Sequence, residues 1–343
     1  MKKEKSEHDY SKELEQLFWK HKLGCSYEFQ VHGAAVTRYV FSPNKGTTVS
    51  TFLKRADKIV AELPVEKVRI FAPVSEFEAI GVEVPNFNRE NICFEEMVSG
   101  LMNSKGRLPI ILGRTVEGFD YLVDLVDAPH ILIAGKPGSG KTMLLHSIIG
   151  SLVVDTNPKE LKFIIAQADG KNDLSMYEGF EYLDRPVLKT ADDVFRTLEE
   201  LAEETERRIH LFFEIGVQRI EDFNKRSDAV LPSIIVIIDE IADIVSADSN
   251  KFDELIKRLS AVGKPLGLHL ILTTREPHAD VISLAVWSCL PTEIALEMPS
   301  QLSSQLVTGF SGGEKLLGKG DMLYYKRNMT LPIRIQGALC PIG

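Results

Sequence analysis

The stretch from Ile131 to Ile149 most constrains the fold, because it places a glycine-rich loop between an apolar strand and a helix. Residues 131–134 are apolar, the loop reads Gly-Lys-Pro-Gly-Ser-Gly-Lys-Thr, and residues 143–149 are again mostly apolar. In this order the N–H groups of the loop and of the first helical turn point at one place, where an anion is favoured. The pattern predicts a phosphate-binding loop at the edge of an α/β sheet.

Each residue type in this loop has a predicted task. Three glycines allow close approach of the backbone to phosphate, Lys141 is expected to reach the β and γ phosphates of a nucleotide, and the Thr142 hydroxyl is expected to bind Mg²⁺. A glycine-rich turn in a dinucleotide-binding sheet is the alternative. The predicted nucleotide-binding residues are Gly135, Lys136, Pro137, Gly138, Ser139, Gly140, Lys141, Thr142 and Met143.

Two carboxylates follow a second apolar run, Ile234 to Ile238. The carboxyl ends of strands are where α/β sheets bind ligands, so we expect Asp239 to hold hydrated Mg²⁺ and Glu240 to orient or deprotonate a water. Together with Lys141 these acids form the predicted catalytic set. Acids also favour helix N-termini for dipole reasons, which is the competing interpretation.

A third strand pattern, residues 268–272, leads into Thr274 and Arg275. Thr274 and Arg275 are both candidate contacts for the γ phosphate, although a plain strand end with a surface charge pair fits the same residues. Asp169 to Lys171 follows an earlier strand and is interpreted as a turn, or less simply as a contact to a neighbouring subunit's nucleotide.

Composition sets limits on the class of protein. The 343 residues are 44% hydrophobic and 26% charged, as in ordinary globular proteins. The lysine-rich start lacks the apolar core of a signal peptide, and no apolar run approaches the ~20 residues of a membrane span, so a cytoplasmic protein without a membrane segment is expected. Four scattered cysteines without C-x-x-C spacing argue against a zinc site or a disulfide framework.

The order of patterns predicts an α/β protein in which a small α+β domain precedes a mostly parallel sheet covered by helices. We expect a leader and short helix over residues 1–22, the small domain over 23–100, with one helix from Val49 to Leu63, and the larger domain over 101–343. Strands near 131–134, 163–166, 234–238, 268–272 and 331–335 alternate with helices near 142–149, 191–215 and 250–262.

A net charge of −9 excludes a wholly basic surface but allows a local basic lining. Lys225, Arg226 and Lys251 lie in or beside predicted loops that flank the strand before Asp239, and are our candidates for contact with a DNA backbone. The simpler interpretation is a solvated helix surface.

Several blocks in order, including 68–73, 80–86, 129–142, 238–243, 267–272 and 316–323, resemble the motor region of the FtsK/SpoIIIE family of DNA translocases. The resemblance runs from about Tyr27 to Cys340. It implies a RecA-like P-loop domain behind a small α domain, a ring of six subunits around double-stranded DNA, and movement driven by ATP with Mg²⁺. Membrane helices and a winged-helix module are not expected in this chain.

Two positions depart from the family pattern. The family's Thr-Gln-Arg-Pro block is Thr274-Arg-Glu-Pro277 here, and Gln305 stands where the family carries an arginine expected to reach a neighbouring site. We therefore keep three hypotheses: a double-stranded DNA translocase, one option being a motor of a mobile element with its own loading partners; a nucleotide-binding assembly subunit with weak hydrolysis; and a polypeptide-moving ATPase related to type VII secretion. The block Ile80 to Asn86 favours the DNA motors over the last of these.

Overall fold

The computed structural model describes residues 8–74, 79–167, 173–275 and 277–341. Within these ranges the chain forms a small four-stranded sheet and a large ten-stranded sheet. No helix in the described ranges has both the length and the apolar character needed to cross a membrane.

The four-stranded sheet is antiparallel throughout, in the order β1-β2-β4-β3. Alternating side chains of its strands pack with the helices on an aromatic core that includes Phe18, Phe41 and Phe52, all fully buried. The elements are α1 Ser11–Lys20, β1 Cys25–His32, β2 Val36–Pro43, α2 Val49–Leu53, α3 Ala56–Val60, β3 Arg69–Phe71 and β4 Ile80–Pro85.

The single helix expected from Val49 to Leu63 is wrong, because two short helices occupy this stretch. At the break between them, Arg55 donates from Nη1 to the carbonyl of His21 at 2.7 Å. This tertiary contact, which the local pattern does not encode, fixes the turn between α2 and α3.

The remaining strands form the larger sheet, and the remaining helices lie along the same part of the chain. They are β5 Ile92–Cys93, α4 Phe94–Met102, β6 Pro109–Thr115, β7 Asp120–Asp124, β8 His130–Ala134, α5 Lys141–Val154, β9 Leu161–Gln167, α6 Ala191–Ile215, α7 Ile220–Arg226, β10 Ser233–Asp239, α8 Ile241–Ala247, α9 Ser249–Leu266, β11 Leu268–Thr274, α10 Leu284–Cys289, β12 Thr292–Ala295, α11 Gln301–Thr308, β13 Asp321–Lys326 and β14 Ile333–Leu339.

The strands that position the site are parallel, as predicted, in the order β12-β8-β11-β10-β9. Every residue of β8, β10 and β11 is buried. Alternate residues of β10 face two different cores, with Val236 in the core beneath α6 and α9 and Ile237 in the core beneath α5. Helices therefore cover both faces of the parallel block, and its strands end at one common edge.

The other half of the sheet is antiparallel, so the sheet as a whole is mixed. It continues from β12 through β13, β14 and β6 to β7, and β5 adds a parallel pair to β14. Short connections such as the one between β6 and β7 permit only antiparallel neighbours, because a parallel neighbour needs a long crossover.

Buried ion pairs join the two sheets. Glu83 of β4 is fully buried and accepts from Arg38 Nη2 at 2.9 Å, Arg69 Nη1 at 3.1 Å and Arg334 Nη1 at 2.8 Å. Arg334 of β14 also binds Asp321. Burial acts to raise the pKa of Glu83, but the three guanidinium groups outweigh it and lower that pKa.

Candidate nucleotide-binding site

The glycine loop runs from the end of β8 to the start of α5, with strand, loop and helix in the predicted order. Its backbone takes conformations that favour glycine, with φ of 76° at Gly138 and 115° at Gly140. A Cβ on Gly140 would lie 2.5 Å from the backbone nitrogen of Gly320. The loop is anchored by hydrogen bonds from Gly135 N to the Thr274 carbonyl and from Lys136 N to the Glu297 carbonyl.

A cavity of about 560 Å³ opens beside this loop. The N-terminus of α5 borders it, and an ideal Cβ on Gly138 would meet no atom within 4 Å, so the loop backbone is accessible from the cavity. Buried Ser139 Oγ has no hydrogen-bond partner among the described residues. These features fit a phosphate group at the helix N-terminus. The predicted binding residues that line the cavity are Pro137, Gly138, Gly140, Lys141, Thr142 and Met143.

Lys141 is buried although it is charged. Its Nζ donates to the carbonyl of Gly135, and to the carbonyl of Lys136 at 3.3 Å. The ammonium group is thus held against the loop, and Lys141 is among the residues that line the cavity.

Asp239 ends β10 at the same edge of the sheet and lines the same cavity. Its carboxylate accepts from Thr273 Oγ1 at 2.7 Å and from Gln167 Nε2 at 3.0 Å. Thr273 also accepts from the backbone N–H of Glu240 at 3.1 Å. The ends of β9, β10 and β11 therefore fix the orientation of the acid.

Glu240 directly follows Asp239 and is also buried. Its carboxylate accepts from Thr274 Oγ1 at 2.9 Å and from Arg275 Nε at 2.6 Å. Arg275 N donates to both of its oxygens, at 3.2 and 3.0 Å. Thr274 thus contacts Glu240, while Arg275 both contacts Glu240 and lines the cavity.

Lys136 of the loop and Lys67, which lies just before β3, share one carboxylate. The Nζ of Lys136 lies 2.6 Å from Glu297 Oε1, and Lys67 binds the same carboxylate and the carbonyl of Leu316. Partial burial acts to raise the pKa of Glu297, but the hydrogen bonds from the two lysines outweigh it and lower that pKa.

Several parts of this site carry no signal in the sequence. Gln167 and Thr273 carry no local motif, and Glu297 lies far along the chain from the loop it contacts. Most of the remaining lining of the cavity comes from strands β5, β13 and β14, which pair only in the folded sheet, and from residues next to them. These residues are Asn91, Ile92, Lys319, Gly320, Met322, Gln336, Gly337, Ala338 and Leu339.

The structure does not bring the three candidate DNA contacts together. Lys225 and Arg226 are exposed at the end of α7, and the neighbouring Asn224 is tied to Leu231 just before β10 begins. Lys251 lies near the start of α9, after β10 has ended, where its Nζ binds Glu199 at 2.8 Å. The first two therefore lie at the amino end of the parallel strands and the third at the carboxyl end.

Four other positions were singled out in the sequence: Asp169, Lys171, Glu276 and Gln305. Gln305 is exposed on α11. Asp169, Lys171 and Glu276 lie outside the described residues.

The parallel sheet, the phosphate loop and the two acids at the strand ends define a P-loop ATPase. A model of the FtsK/SpoIIIE family matches residues 97–279, and a model of the FtsK alpha domain matches residues 1–86. The chain belongs to the FtsK/SpoIIIE family, which confirms the resemblance seen in its sequence.

Two relatives illustrate the similarity. The chain is 37% identical over 318 residues to the DNA translocase FtsK of Borreliella burgdorferi, covering 90% of this chain and 40% of that protein. It is 36% identical over 323 residues to the DNA translocase SpoIIIE of Bacillus subtilis, covering 90% of this chain and 41% of that protein. The chain thus spans about two fifths of the length of these relatives.

Solved structures confirm the RecA-like α/β fold. The pCW3 conjugation coupling protein TcpA, in its monomer form with ATPγS, superposes with a TM-score of 0.66 at 18% identity, covering 96% of this chain and 94% of that one. The cytoplasmic domain of the type VII secretion ATPase EccC of Thermomonospora curvata gives a TM-score of 0.64 at 19% identity, covering 74% of this chain and 33% of that one.

Proposed function

We propose that this chain is the motor region of an ATP-driven translocase of double-stranded DNA. Family membership supports the class of activity, and both relatives described above are DNA translocases. The observation that carries the proposal is one cavity lined by the phosphate loop and by Asp239, with Glu240 one residue further along.

The residues divide the work of hydrolysis in this proposal. Loop N–H groups and Lys141 bind the phosphates of ATP. Thr142 and Asp239 hold Mg²⁺, which neutralises phosphate charge when bound. Glu240 orients the attacking water and accepts its proton, and Thr274 positions Glu240 through its hydroxyl.

DNA contact would be through the phosphate backbone, because such binding is largely indifferent to sequence. We propose a ring of six subunits in the cytoplasm, where a few basic residues per subunit are multiplied by symmetry. Lys225 with Arg226, and Lys251 separately, remain the candidate contacts. We also propose that the motor serves a mobile element and has loading partners of its own. The proposed domain boundaries divide the chain into residues 1–22, 23–100 and 101–343.

The test is ATP turnover by the purified chain with and without linear duplex DNA, beside Lys141→Ala. We expect turnover that duplex DNA stimulates, that falls with rising salt, and that Lys141→Ala abolishes. Electron micrographs with duplex DNA and ATPγS should show rings around the duplex. Turnover that ignores DNA, or stimulation by polypeptide instead, would contradict the proposal.

One observation favours a second candidate, a nucleotide-binding assembly subunit with weak hydrolysis. The carboxylate of Glu240 is paired with Arg275, and Arg275 stands where the family pattern has glutamine. A low turnover that DNA does not raise, together with nucleotide-dependent ring formation, would favour this candidate.

A further inference from the structure

The carboxylate of Glu240 is surrounded by donors from the end of β11. Thr274 Oγ1 donates to Oε1, and Arg275 donates from its backbone N and from Nε, the latter at 2.6 Å. The side chain of Glu240 is only 6% exposed. A general base needs an oxygen within hydrogen-bond reach of the water it activates. In this arrangement Arg275 therefore competes with water for Glu240.

Arg275 also faces the nucleotide cavity. Its side chain is 24% exposed, and it lines the cavity together with Gly138, Lys141 and Thr142. A guanidinium group has five donors in a planar fork and binds phosphate oxygens as well as it binds carboxylates. A terminal phosphate bound at this loop and the carboxylate of Glu240 are thus two anionic partners for one cation.

We propose that Arg275 is a positioning residue that exchanges partners, from the carboxylate of Glu240 to the terminal phosphate of bound ATP. The exchange gives Arg275 a contact that ADP does not offer, and it releases Glu240 toward the attacking water. This inference rests on the proposed ATPase function and adds to it how the site distinguishes ATP from ADP.

The proposal predicts a thermodynamic coupling between Arg275 and Glu240. In the wild type, ATP must displace Glu240 from Arg275, so the cost of breaking the ion pair offsets part of the binding free energy of the phosphate contact. Glu240→Gln removes the competing charge and should tighten binding of ATPγS without changing that of ADP. The gain should be absent when Arg275 is also replaced, because competition for the guanidinium no longer exists.

The experiment is calorimetric titration of ATPγS and ADP, each with Mg²⁺, into the wild type, Glu240→Gln, Arg275→Gln and the double variant. We expect Arg275→Gln to weaken ATPγS binding about tenfold, as for one lost charge-assisted contact, and to leave ADP binding within about twofold. Arg275→Lys, which keeps the charge, should restore part of the preference for ATPγS. Arg196→Gln, a change at an exposed arginine paired with Asp193 on α6, is the matched control and should alter neither affinity.

Four results separate the possibilities. A preference for ATPγS that survives in Arg275→Gln, or a Glu240→Gln gain that persists in the double variant, would overturn the exchange while leaving the ATPase proposal intact. Equal tightening of ATPγS and ADP binding in Glu240→Gln would also overturn the exchange. A wild type that binds neither nucleotide would refute the proposed function itself, and the exchange with it. Melting temperatures of all the variants identify any loss of folding.

Discussion

Glu240 occupies an unusual backbone conformation at the start of α8. Its φ of 63° and ψ of 82° lie in a region that non-glycine residues seldom adopt, at a cost of about 1–3 kcal/mol. The hydrogen bond from its N–H to Thr273 and the contacts to its carboxylate offset this cost. In this conformation the carboxylate contacts Thr274 and Arg275 at the end of β11.

Replacing Glu240 with glutamine tests its role as the base. Glutamine keeps the size of the side chain but cannot accept a proton, so we expect turnover to fall a hundredfold or more while nucleotide binding persists. Steady-state hydrolysis and calorimetric titration measure the two effects separately. Turnover like that of the wild type would assign the base to another residue.

Gly140→Ala should damage the phosphate loop. An alanine would be strained at φ 115°, and its Cβ would lie 2.5 Å from the backbone nitrogen of Gly320, which cannot rotate away. We expect a lower melting temperature and nucleotide binding weakened at least tenfold, both readily measured. Gly100→Ala is the control, because its added methyl group would meet no atom within 4 Å and helix α4 favours alanine there. Equal behaviour of the two variants would contradict this explanation.

At the level of single residues, the sequence predicts the loop and the two acids well, because their spacing is local. The partners of those acids are a different case. Gln167 and Thr273 reach Asp239 only because β9 and β11 flank β10. The contact of Arg275 with Glu240 likewise depends on β11 lying beside β10, which no local pattern encodes.

Among the elements, strand β8 carries a buried histidine whose ring contacts both β11 and α9. His130 Nδ1 accepts from Leu270 N at 3.2 Å, and Nε2 lies 3.3 Å from the carbonyl of Ser260. The neutral ring satisfies both partners as acceptor and donor. Burial lowers the pKa of His130 to about 4, although the contact with Ser260 acts in the opposite direction.

Because of this histidine, we expect the protein to begin losing stability at pH values above those at which carboxylates become protonated. Because the folded pKa lies below the unfolded value near 6.5, stability is full above pH 6.5 and is lost as pH falls toward 4, by at most about 1.4 kcal/mol per pH unit. Buried His269, with its pKa lowered to about 3, adds a loss of the same sign. The free energy of unfolding, measured with a chemical denaturant between pH 7.5 and 5, should fall less steeply with falling pH in His130→Gln than in the wild type. Equal slopes would rule out this contribution.

Long, strongly patterned elements could be predicted from the sequence, as helix α6 and strands β8, β10 and β11 show. Strands β12 and β13 could not. The first has only four residues, one of them the charged Glu293, and the second reads Asp-Met-Leu-Tyr-Tyr-Lys without a clear alternation. Their place in the sheet depends on pairing with residues far away in sequence, and the antiparallel half of the sheet follows from that pairing.

Across the whole molecule, the ion cluster around Glu83 joins the two sheets and should matter for stability. Glu83→Gln leaves three arginines around a neutral side chain, two of them, Arg69 and Arg334, almost fully buried, so we expect a loss of about 3–5 kcal/mol in the free energy of unfolding. Glu117→Gln removes the exposed partner of Arg38 and should cost less than about 1 kcal/mol. Denaturant unfolding of both variants measures the difference. A small effect of Glu83→Gln would show that this ion cluster contributes little to holding the sheets together.

Strand β14 has a consequence for how the protein is made. It pairs with β13 on one side and β6 on the other, so the ten-stranded sheet stays split in two until residue 339 has left the ribosome. Residues 336–339 also line the cavity, so the nucleotide pocket cannot be complete before this strand has been synthesised. Until then the unpaired edges of β6 and β13 resemble the exposed strands that chaperones protect from aggregation.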